Sequence, residues 1–166
     1  MELIDKSKII QNICGIEIDA SAQYRPSAEN SLQPFSNTFI STTSAKPVYF
    51  GKGKVAYAQQ GKPTSSGMLY SQVLSIQFPN SDLLSSERIK EYIKVKLIYI
   101  RLSAGVVILF GRNDFYQNAA PVVTIKNTQN ITKITYKAQS MFPAGQTNGS
   151  LKNLLPGDFP INFYNL

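Results

Sequence analysis

The sequence predicts a mainly β protein, an antiparallel β-sandwich or barrel with one α-helix and extended arms. Three observations predict it: a long alternating segment at 68–78, a glycine-turned hairpin at 95–110, and a single stretch of helical spacing at 81–94. The chain has 166 residues and is 43% hydrophobic, the size of one domain with appended segments. A chain of this size buries about 69% of its unfolded surface, enough for a core without disulfides or metal.

Residues 1–18 are read as an N-terminal strand region, because Ile16 and Ile18 alternate with Glu17. Cys14, between Ile13 and Gly15, is expected as a small buried hydrophobe, and a lone cysteine fits a reducing compartment. Residues 19–46 hold neither a period of 2 nor one of 3.6 and are read as an extended arm or long loop. Tyr24, Phe35 and Phe39 make an arm that docks on a partner the better reading, since aromatics anchor segments that order on binding.

The β-rich core is placed at 47–143. Pro47–Phe50 and Gly53–Gln59 are short strands around a glycine turn. In Met68–Phe78 the residues Met68, Tyr70, Leu74, Ile76 and Phe78 share one face, while Ser71, Ser75 and Gln77 share the other. The helix is expected near 83–94, with Ser85 as cap and Ile89, Tyr92 and Ile93 as its apolar stripe. Val95–Leu102 and Val106–Phe110 flank Ser103-Ala104-Gly105, and Pro121–Lys126 pairs with Ile131–Ser140. Residues 144–166 are a second arm. Its Leu154, Leu155, Phe159, Phe163 and Tyr164 are costly to leave in water and mark it for docking on its own domain or a neighbour.

Residue chemistry excludes much enzymology. The chain contains no histidine and one cysteine, which removes Ser-His and Cys-His dyads and the usual zinc sites; no cofactor or metal is expected. Phe50-Gly51-Lys52-Gly53-Lys54 lacks the glycine spacing and trailing hydroxyl of a phosphate loop and reads as a turn. Glu87 and Glu91 share a helix face amid Arg88, Lys90 and Lys94, the pattern of a solvated, ion-paired surface. Asp114 beside Arg112 and Asn113 reads as a turn residue rather than a lone base. A non-enzyme is therefore expected.

The net charge of +7 is unevenly spread. Residues 31–137 carry thirteen bases and four acids, whereas residues 1–30 carry five acids and three bases. Lysines recur at alternating positions, Lys52 with Lys54, Lys94 with Lys96, and Lys133 with Lys137, so several can line one sheet face toward an anionic partner. With Tyr57, Tyr99 and Tyr136 as stacking groups, these would make a single-stranded nucleic-acid-binding β domain, the alternative function; the commoner arrangement puts lysine in solvent and tyrosine in the core. The amino terminus lacks a secretory apolar region and the longest strictly apolar run, Val106–Phe110, is too short to span a bilayer, so no membrane contact is expected.

The stretch VILFGRNDFYQNAAPVVTIKN, followed by ITKITYKAQSMFP, resembles structural proteins of bacteriophages and prophages. The resemblance spans about residues 45–143. Its cues are the hairpin ending in Phe110-Gly111, the loop from Arg112 to Pro121, and the closing strand that runs into Ser140-Met141-Phe142-Pro143. It implies a virion protein assembled in the host cytoplasm, a homo-oligomeric ring or a joint with other virion proteins built by exchanging arms and loops. Tail-tube lumens of that kind tend to be acidic, so the basic centre here fits a neck, capsid-associated or outer tail position better.

Overall fold

The computed structural model describes residues 12–20, 23–24, 39–40, 45–51, 53–81, 83–111, 120–141 and 143–148. Two antiparallel sheets pack face to face. One has five strands in the order β11 (Gly145–Asn148), β8 (Val106–Phe110), β7 (Leu97–Leu102), β1 (Ile13–Asp19), β4 (Lys46–Pro47). The other has four, ordered β5 (Val55–Thr64), β6 (Gly67–Pro79), β10 (Ile131–Ser140), β9 (Val122–Asn127). Of the two architectures expected, the sandwich is the one adopted; neither sheet closes into a barrel. A separate two-stranded pairing joins β2 (Gln23–Tyr24) to β3 (Phe39–Ile40) within the 19–46 segment.

The core follows from period-2 alternation. Ile16 and Ile18 of β1 stand opposite Ile100 and Ile98 of β7, and Ile98 and Ile100 stand opposite Phe110 and Ile108 of β8. The other sheet answers with Leu74, Ile76 and Phe78 on β6, register partners of Tyr136, Ile134 and Thr132 on β10. Nearly all of these are buried in one cluster that joins the two sheets. Ring packing closes it: Tyr57 meets Phe110 edge-on at 6.3 Å, and Phe78 meets Tyr92 edge-on at 5.9 Å.

The five-stranded sheet is buried on its second face as well. Leu97, Tyr99, Val107 and Leu109 alternate with the core residues of β7 and β8, lie outside the core cluster, and are still only 2–3% exposed. Continuous apolar runs such as LIYI and VVILF are what a strand covered on both sides requires.

Helix α1 (Ser85–Ile93) carries Tyr92 into the core and packs Ile89 against it, while Ile93 is exposed. Ser85 does not cap this helix, contrary to expectation. The helix begins on Ser85 itself, Leu84 occupies the capping position without a side-chain bond, and the Leu84 carbonyl receives the Arg88 N–H at 3.0 Å.

Cys14 also departs from expectation, for it is exposed. Between Ile13 and Gly15 the register of β1 on β7 advances one residue on β7 for two on β1, so Cys14 is the unpaired residue of a bulge. A bulge re-aims its side chain, which removes Cys14 from the alternation that would bury it.

The hairpin of β5 and β6 is longer than the sequence indicates. Pairing continues past Gln59 through Gly61–Tyr70, Pro63–Met68 and Thr64–Gly67, and every residue from Ala58 to Met68 is exposed. Pro63 is admissible because β5 is an edge strand, where a missing N–H breaks no inter-strand ladder on its outer side. The ribbon thus projects beyond the sandwich.

One polar side chain sits in the interior without a match. Gln72, on the core side of β6 between Gln59 and Ala138, is 1% exposed and its amide oxygen and nitrogen have no hydrogen-bond partner. Replacing Gln72 with leucine is expected to raise stability by about 1–2 kcal/mol, since an unpaired buried amide costs about that much. A urea titration checks it; equal or lower stability in the variant would show that the amide is satisfied in solution.

Candidate nucleic-acid interface

The outward face of the four-stranded sheet is set by the same alternation that buries its core residues. It carries Ala56, Ala58, Gln60 and Lys62 on β5, Ser71, Val73, Ser75 and Gln77 on β6, Ile131, Lys133, Thr135, Lys137 and Gln139 on β10, and Val122, Thr124 and Lys126 on β9. One row crosses the whole sheet. The Lys54 carbonyl, one residue before β5, accepts the Gln77 N–H at 3.0 Å; Gln77 stands opposite Lys133, and Lys133 opposite Lys126. Two residues further along lies Thr135, and four along lies Lys137.

Lys54, Lys62, Lys126, Lys133 and Lys137 are all exposed. None of the four strands contains an aspartate or glutamate. The described acids lie elsewhere: Glu17 and Asp19 on β1, Glu87 and Glu91 on α1. Lys133 and Lys126 are direct cross-strand neighbours, with Cβ atoms about 5 Å apart, and like charges so placed weaken a sheet. The face is therefore a cationic surface that gains from an anion brought to it.

The remaining lysines expected on such a face are placed differently. Lys94 and Lys96 lie on the connection between α1 and β7, where the Lys96 N–H donates to the Asp19 carbonyl at 3.0 Å. Lys52 lies outside the described residues. Nothing local in the sequence marks Lys62 for the face, because the other lysines on it are distant in the chain, whereas the expected β9–β10 hairpin sets Lys126 opposite Lys133; a further signal is the absence of acids from all four strands.

The tyrosines do not accompany the lysines, which corrects the stacking arrangement. Tyr136 is fully buried and donates to the Tyr92 carbonyl at 3.0 Å, Tyr57 packs on the core, and Tyr99 is 2% exposed on the other sheet. No described residue on the lysine face is aromatic.

In the glycine turn at 50–54 two described amides are already bonded within the protein. Gly51 N–H donates to the Gln77 carbonyl at 2.8 Å and Lys54 N–H to the Gly51 carbonyl at 2.9 Å, so these donors are consumed inside the turn. Glu91 pairs with Lys46 of β4, a partner outside the helix, and Arg88 lies over the Tyr49 ring at 4.4 Å. On the five-stranded sheet Arg101 donates to Glu17 at 3.3 Å; burial pushes the Glu17 carboxyl up and the nearby guanidinium partly offsets this. Among the described residues no three His, Cys, Asp or Glu side chains converge on a metal position, and no helix is long and apolar enough to cross a membrane.

Of the arm residues, Tyr24 and Phe39 fall in the β2–β3 pairing, where they are register partners. Phe35, Leu154, Leu155, Phe159, Phe163, Tyr164 and Asp114 lie outside the described residues. The chain matches no known protein-family profile, no curated protein and no solved structure.

Proposed function

We propose that this chain is a non-enzymatic structural protein of a phage virion, forming an oligomeric ring or joint with other virion proteins. The observation that carries the assembly reading is the projecting β5–β6 ribbon. A two-stranded ribbon is marginal on its own in water, yet this one is paired to its tip with both faces exposed from Ala58 to Met68. Its inward-turned face carries Gly61, Pro63, Met68 and Tyr70, continuing the core side of the sheet into a stretch that is exposed from Gly61 to Met68. Met68 is 43% exposed there, and a Cβ on Gly61 would sit 3.0 Å from the Tyr70 ring and 3.1 Å from the Met68 methyl. A neighbouring copy that covers this apolar strip completes the sheet packing the chain begins. Placement in a virion rests on the resemblance of residues 45–143 to phage structural proteins.

Light scattering on the full chain, and on a variant in which residues 62–69 are replaced by Asn-Gly so that Gly61 still stands opposite Tyr70, tests the assembly. The full chain is expected to form a defined oligomer, and the shortened variant a monomer with its thermal midpoint within a few degrees of the parent. Monomers in both cases, or the same oligomer in both, would overturn the proposal.

A further inference from the structure

We infer that the outward face of the four-stranded sheet is a docking surface for double-stranded nucleic acid, bound through its phosphate backbone and without sequence preference. The inference is independent of oligomer formation, which engages the β5–β6 ribbon.

Charge complementarity supplies the first argument. Lys54, Lys133 and Lys126 form one row across the sheet, Lys137 stands about 13 Å along β10 from Lys133, and no acid interrupts the four strands. Between Lys54, Lys133, Lys126 and Lys137 stand Ser75, Gln77, Thr124 and Thr135, donors of the kind that bind phosphate oxygens, while Val73 and Val122 flank Lys137 and Ile131 lies at the end of β10 on the same face.

The composition of the face then selects among polyanions. Single-stranded binders stack bases on aromatic side chains, and this face has none, its tyrosines being turned into the core. Protein-binding surfaces favour aromatic residues, methionine and arginine and are poor in lysine, whereas here lysine supplies every charge. Protein–DNA interfaces are the more polar and positively charged kind. A broad sheet face enters no groove, so base edges stay unread and backbone charge provides the affinity.

The test uses the full-length chain and a fluorescent 20-base-pair duplex of mixed sequence, titrated between 50 and 200 mM salt. Neutralising about four phosphates gives a log–log slope near −3.6. The triple variant Lys126→Gln, Lys133→Gln, Lys137→Gln, whose positions are exposed, should keep the parent's thermal midpoint, reduce that slope by about 2.7, and bind at least tenfold more weakly at 50 mM salt. The double variant Lys94→Gln, Lys96→Gln, away from the face, should leave the slope within about one of the parent. Duplex binding that is absent at 50 mM salt, or a slope unchanged in the triple variant, would overturn the inference. Tighter binding of a 20-mer oligothymidine would assign the face to single strands instead, and equal binding of polyglutamate would assign it to acidic proteins.

Discussion

Replacing Gly111 with alanine is expected to destabilise the protein by about 4 kcal/mol, lowering its thermal midpoint by roughly 10 °C. Gly111 follows β8 directly with a φ of +110°, and a Cβ there would lie 2.6 Å from the Lys96 carbonyl oxygen and 3.3 Å from the Leu97 Cα. Two costs add. The backbone angle itself is one that side-chain-bearing residues rarely adopt, and the colliding atoms belong to the backbone leading into β7, which cannot swing aside as a flexible side chain would. Both neighbours are structural: Lys96 N–H holds the Asp19 carbonyl, and Leu97 is buried. Gly105 separates the two costs, for its φ is +82° but nothing lies within 4 Å of its added Cβ. Gly105→Ala should therefore lose only about 1 kcal/mol. Thermal melts of the two variants decide the matter, and equal losses would show that angle, not contact, fixes Gly111.

That glycine shows where sequence reading stops. The hairpin around Ser103-Ala104-Gly105 is legible because its turn, its flanking strands and its register are all local. So are β6 and β10, whose alternation marks one buried and one wet face, and β10 runs from Ile131 to Ser140 as expected. Gly111 lies one pair beyond Ile98–Phe110 in that same hairpin, so its place opposite Leu97 is legible, but the 2.6 Å approach to the Lys96 carbonyl and the φ of +110° are not written in any local pattern. The lysine face divides the same way. Lys133 and Lys137 share a face by parity within one strand and Lys126 joins them through the β9–β10 hairpin, but Lys54 joins them only through the β10–β6–β5 pairing order. Tyrosine placement divides likewise. Tyr136 stands between Thr135 and Lys137, so parity alone turns it away from the lysines and into the core, where it is fully buried. Tyr99 is removed from the lysine face only by belonging to the other sheet, which the pairing order decides.

Cys14 and the β5–β6 ribbon illustrate a second limit. A bulge shifts parity by one residue, so the apolar neighbours Ile13 and Ile16 give no sign that Cys14 faces water. In the ribbon, Gly61 and Pro63 read as strand breakers, whereas an edge strand with no neighbour on one side accommodates both. What a protein exposes deliberately is the part least visible to rules built on burial.

The buried tyrosines predict how the fold fails in alkali. Burial pushes the Tyr57 hydroxyl up to about 12, and raises those of Tyr136 and Tyr92 above the ordinary value near 10, although Tyr92 is partly relieved by the Tyr49 N–H at 2.8 Å and by Arg88. In each case the folded state holds its proton more tightly than the unfolded chain. The stabilisation is therefore complete below pH 10 and is lost as pH climbs from 10 toward the folded values. At about 1.4 kcal/mol per unit, and discounted for partial exposure, Tyr57 alone accounts for about 2 kcal/mol by pH 12. Tyr136 adds to this, because its tyrosinate would face the Tyr92 carbonyl it now donates to. Thermal midpoints should hold steady from pH 8 to 10 and then fall steeply, with a shallower fall in Tyr57→Phe, which lacks one of the three raised hydroxyls but retains the ring packed on Phe110. Tyrosinate absorbance from the buried rings should appear only together with loss of the fold. A midpoint that stays flat to pH 12, or full ionisation of all nine tyrosines near pH 10 in a protein still folded, would show that these hydroxyls reach water.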